Sequence, residues 1–193
     1  RIGSNLAFIN TVPPSSTLNT PLITGATSPP VIGIFGGGQL VMAYATGDGL
    51  IRAYRIEDGF KQMPGFPIST AHTMSQPLAL GDIDGDGIRD IVAFSGGRIF
   101  AYNVSGASLD YFPITVSSTD AMTSHPVLAD VNGDGTVEII GVTSGGLVVA
   151  YDKTGRLAPG FPLQAGTGKQ SVAVFDLPTA SLSASCGLDP PML

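Results

Sequence analysis

Short apolar runs alternate with glycine-rich polar turns along most of this chain. Leu78–Leu80 and Val127–Ala129 are apolar runs, each followed by an acidic turn rich in glycine. A second apolar run comes next, Ile91–Phe94 or Ile139–Val142, and meets a glycine hairpin at Gly96-Gly97 or Gly145-Gly146. A third run ends in Ala-Tyr, and a turn follows at Asn103–Ala107 or Asp152–Gly155. A fourth strand is predicted to end near a Phe-Pro pair. The pattern predicts short antiparallel strands.

The pattern repeats. Ala53-Tyr54, Ala101-Tyr102 and Ala150-Tyr151 recur at spacings of 48 and 49, and Phe66-Pro67, Phe112-Pro113 and Phe161-Pro162 at 46 and 49. Residues 77–102 align with 125–151, and 29–54 align with 77–102 without a gap. Three full units result, and SVAVFDL (171–177) opens another. Four short strands per 46–49 residues is the size of one β-propeller blade. The expected fold is therefore all-β, with three full blades plus part of another in an incomplete ring. Its predicted organisation is a Ser/Thr/Pro-rich arm at 1–28, propeller blades at 29–177 and a tail at 178–193.

The chemistry concentrates in two loops, DIDGDGIRD (82–90) and DVNGDGTVE (130–138). Asp82, Asp84 and Asp86 occupy positions 1, 3 and 5 of a tight loop, so their carboxylates converge. Gly87 at position 6 serves the sharp turn. The Ile88 carbonyl at position 7 and the Asp90 carboxylate at position 9 complete an oxygen cage. In the second loop the roles fall to Asp130, Asn132, Asp134, the Thr136 carbonyl and Glu138, around Gly135. Hard oxygen ligands in this number suit Ca2+, giving two expected sites. An EF-hand needs a bidentate carboxylate at position 12, where Ala93 and Gly141 stand here.

An acidic DxDGDGxxD loop between strands, once per unit, resembles the FG-GAP/VCBS repeats of integrin-α-type propellers across residues 29–177. The resemblance implies a calcium ion held between the first two strands of a blade, on the face opposite the one usually used for ligands. The first unit carries Ile34, Gly36 and Gly38 at the ligand positions, so no calcium is expected there. The fourth keeps only Asp176.

Composition narrows the function. Glycine and proline number 26 and 15, which excludes a helical bundle. Charged residues make up 12%, about half the usual share, and from Ile2 to Gly47 there are none. A net charge of −6 argues against a nucleic-acid partner. No apolar stretch reaches the roughly 18 residues of a membrane span. Seven of the 15 acids sit in the two loops and would repel one another without a cation.

Five weaker signals are set aside. GTGKQS (166–171) lacks the residues of a phosphate-binding loop, and His72 and His125 stand at non-equivalent places. Tyr54, Tyr102 and Tyr151 read as interlocking core. Asn103-Val104-Ser105 is a glycosylation sequon at a turn, and Cys186 is a single thiol.

The expectation is a non-catalytic, calcium-stabilised module of a secreted, cell-surface or other extracytoplasmic protein, serving adhesion or assembly. Its expected partners are other protein subunits or further blades of the same parent chain. The alternatives are the propeller of a polysaccharide-active enzyme, or a lectin-like propeller binding glycans.

Overall fold

The computed structural model describes residues 25–166 and 171–174. Within them the chain forms three antiparallel sheets, one per sequence unit, and no α-helix. The first sheet contains β1 (Val31–Ile34), β2 (Leu40–Ala45), β3 (Leu50–Arg55), β4 (Lys61–Gln62) and β5 (Ile68–Ser69). These follow chain order, except that β5 pairs with β3 beside β4. The second holds β6 (Ala79–Gly81), β7 (Asp90–Ser95), β8 (Arg98–Tyr102) and β9 (Ile114–Thr115). The third holds β10 (Val127–Ala129), β11 (Glu138–Val142), β12 (Leu147–Tyr151) and β13 (Leu163–Gln164). Isolated bridges Tyr102↔Ser108 and Tyr151↔Leu157 stand where β4 pairs in the first sheet.

The register keeps the sequence repeat. Val31 pairs with Ala43, Ala79 with Val92 and Val127 with Ile140. Each pair is displaced from the last by 48 or 49 residues. One expectation is corrected. The fourth strand does not end near Phe-Pro but begins just after it, at Ile68, Ile114 and Leu163. Proline has no N–H to give the ladder, so pairing starts beyond the ring.

Period-two alternation then decides which neighbour each residue meets. On β7, Ile91 and Ala93 join the core shared with the first blade, while Val92 and Phe94 join the core shared with the third. All six residues of β7 are buried, because a blade covers each face. The inner strands pack as closely as backbone allows. A Cβ on Gly33 would lie 2.7 Å from Leu80 Cδ1, and one on Gly81 would lie 2.6 Å from Leu128 Cδ1. At the open side of the first blade the counterpart of those leucines, Ile32, is 59% exposed, and Ile34 is 54% exposed. The three sheets form a propeller sector and do not close a ring.

Candidate metal centre

Both acidic loops join the inner strand of a blade to the next strand, β6 to β7 and β10 to β11. Both are held by the same scaffold. The position-1 carboxylate accepts two backbone N–H groups, Asp82 from Gly85 (2.8 Å) and Gly87 (2.9 Å). Asp130 does the same with Gly133 (2.7 Å) and Gly135 (2.9 Å). Position 3 accepts from position 5, at 3.1 Å for Asp84 and Asp86 and 2.8 Å for Asn132 and Asp134. Position 5 accepts from position 7, Asp86 from Ile88 N (2.7 Å) and Asp134 from Thr136 N (2.8 Å). Position 9 reaches back to position 2, Asp90 accepting from Ile83 N (2.9 Å) and Glu138 from Val131 N (2.8 Å).

The backbone bonds aim the acids at one another. Carboxylate oxygens of Asp82, Asp84 and Asp86 lie within 4.8 Å of each other, on a largely exposed surface. This cluster can hold a metal ion, because each carboxylate keeps lone pairs beyond those given to the backbone. Asp90 and Glu138 differ from the rest in being fully buried. Each is the first residue of its strand, so alternation turns its side chain inward. Burial, with the charges of Asp84 and Asp86 adding to it, pushes the Asp90 carboxyl up to about 6. In the second loop the Thr136 hydroxyl and N–H hold Asp134 below the usual carboxylate range.

The loops diverge at position 3. Asn132 Nδ2 donates to Asp134 Oδ2 (3.0 Å) and to Glu138 Oε1 (2.8 Å), so an amide dipole sits among the second loop's acids. The first loop has a third carboxylate, Asp84, at that place. Sequence reasoning missed one cation nearby. Lys153, on the third blade, donates from Nζ to the backbone carbonyl of Asp84 at 3.0 Å. The two are 69 residues apart, and nothing local signals the contact. In the first unit, a 3-10 turn at Gly36–Gly38 replaces the acidic loop, and Ile88 of the neighbouring loop packs over Gly36. Asp176 and Cys186 lie outside the described residues.

Residues set aside in the sequence fall elsewhere. His72 Nε2 lies 3.2 Å from Arg98 Nη1, its ring tilted over Phe100, away from both acidic loops. Tyr102 is buried and stacks on Phe100, while Tyr54 and Tyr151 are half-buried. The Asn103 side-chain oxygen closes its own turn on Ser105 N and Ala107 N, both at 3.0 Å.

Repeated antiparallel sheets of four or five strands packed face to face, two of them with the same loop scaffold, define β-propeller blades. Residues 82–141 match the FG-GAP-like repeat family model. Among solved structures, BBS1N crystallised with ARL6DN and soaked with mercury resembles the chain at TM-score 0.55 and 12% identity, over 73% of this chain and 45% of that one. The lead-soaked form gives 0.50 and 12%, over 67% and 41%. BamB from Moraxella catarrhalis gives 0.46 and 19%, over 68% and 35%. The chain thus spans less than half the length of these matched structures. No curated protein matches the sequence.

Proposed function

We propose that the chain is a non-catalytic, calcium-stabilised propeller module of an extracytoplasmic protein, which serves adhesion or assembly with other proteins or further blades. The observation that carries this reading is the convergence of Asp82, Asp84 and Asp86 on one point; the second loop repeats the backbone scaffold, though its acids are not gathered in the same way. Carboxylates so placed repel in the absence of a cation, and oxygen-only donors favour calcium over softer metals. Weak extracellular modules bind calcium at about 0.1–1 mM, which suits an extracytoplasmic setting. The exposed Ile32 and Ile34 on the first blade support the assembly role, since such a face gains by being covered. BBS1N, crystallised in complex with ARL6DN, is a propeller neighbour that meets another protein.

Titration calorimetry with CaCl2 and MgCl2 tests the proposal. Two calcium sites are expected, with magnesium much weaker. At a hundredfold excess over Kd each site adds about 2.7 kcal/mol to stability, so chelation lowers the melting temperature. Equal magnesium affinity, or a melting curve indifferent to calcium, would count against the reading.

A further inference from the structure

The second blade breaks the internal repeat at one turn. In the first and third units the residues before Phe-Pro are Pro64-Gly65 and Pro159-Gly160, and in the second they are Asp110-Tyr111. Gly65 and Gly160 have φ of +80° and +86°, the left-handed region that glycine enters freely. Tyr111 adopts the same conformation, φ +67°, with a bulky side chain that disfavours it. No burial compensates, because the Tyr111 ring is 70% exposed. Two blades show that the fold works with Pro-Gly here, so Asp110-Tyr111 answers to something other than folding.

Tyr111 and Asp110 line a cleft of about 200 Å3 between the second and third blades, with Leu109, Asp84, Lys153 and Thr154. That volume equals roughly six or seven waters, the scale of a single sugar ring. The lining selects by chemistry. Lys153 uses one donor on the Asp84 carbonyl and keeps two, which disfavours a cationic guest. Asp84 and Asp110 disfavour an anion. The Thr154 hydroxyl donates to Asp152 Oδ1 at 2.8 Å and so offers an acceptor to the cleft. What remains is a neutral ligand with one apolar face and several hydroxyls.

We propose that this cleft is a carbohydrate subsite, in which a pyranose ring stacks on Tyr111 and its hydroxyls bond to Asp110, Lys153 and Thr154. An aromatic ring with one free face and a polar rim of donors and acceptors is the form such recognition takes. The site goes beyond the stabilising role of calcium, although Asp84 belongs both to the cleft and to the first acidic loop.

The test is NMR of the 193-residue chain with ring-labelled tyrosine, in saturating calcium. The probes are the methyl pyranosides of glucose, galactose, mannose and N-acetylglucosamine, with arginine methyl ester and inorganic phosphate as charged counterparts. At least one pyranoside should shift the Tyr111 ring resonances, and neither charged probe should. Read by calorimetric titration with that pyranoside, because both variants lack the labelled ring, Tyr111→Phe should retain affinity to within about threefold and Tyr111→Gly should lose at least about tenfold. Tyr111→Gly should also melt about 2–4 °C higher, because it relieves the left-handed strain. No shift with any pyranoside, preferential binding of a charged probe, retained affinity in Tyr111→Gly or a lower melting point in that variant would each overturn the proposal. Calorimetry with calcium reads the metal separately, so failure here leaves that reading intact.

Discussion

The loops at 82–90 and 130–138 share one backbone scaffold and differ in how they treat their own charge. The first gathers Asp82, Asp84 and Asp86 and places Asp90 beneath them with its proton held up to about 6. The second puts Asn132 at the centre, where its amide donates to Asp134 and to the buried Glu138. One loop therefore supplies its own partial positive charge, and the other gathers three carboxylates that could hold a metal ion.

The largest expected effect tests the buried acid. Glu138→Ala leaves Val131 N–H without its acceptor, takes one of two acceptors from Asn132 Nδ2 and opens a cavity, at a cost of about 4 kcal/mol. Asp90→Ala removes one such bond but also relieves repulsion from Asp84 and Asp86, so in chelator it should cost clearly less. Urea denaturation of both variants without metal measures the difference, and equal losses would break the contrast between the loops.

A smaller effect follows from pH. The Asp90 carboxyl has its ordinary value of 3.8 when unfolded and about 6 when folded. Between these values the folded chain binds the extra proton, so stability falls as pH rises from about 4 to 6, by up to about 3 kcal/mol. The lowered carboxyls, Asp48, Asp134 and Asp152, act in the opposite sense and below the ordinary value, outside this window. In chelator, melting temperatures of Asp90→Asn should lack the decline between pH 4 and 6 that the parent shows. A parent curve already flat there would remove the argument.

The smallest effect exchanges the two designs. Asp84→Asn should stabilise the calcium-free chain by about 1 kcal/mol while weakening calcium at the first loop, and Asn132→Asp should do the reverse at the second. Paired melts with and without calcium check the signs, and the same sign at both loops would show that position 3 does not set the balance.

The sequence by itself determined the repeat and with it the fold. Strand alternation, the glycine hairpins and the acidic spacing are local, and each unit of 46–49 residues carries them in full. The registers 31↔43, 79↔92 and 127↔140 follow directly, as does the clustering of Asp82, Asp84 and Asp86. Tertiary structure decided what lies between units. That Asp90 is buried depends on the blades packed on both faces of β7, which no single unit contains, and Glu138 is buried at the equivalent place on β11. The start of the fourth strand after Phe-Pro, not before it, depends on where proline's missing N–H falls in the ladder. Lys153 reaches Asp84, and Tyr111 shares a cleft with both, because adjacent blades present their loops on one face. Periodicity encodes the partners within a blade, but contacts between blades depend on how one sheet turns against the next, a geometry written in no local pattern.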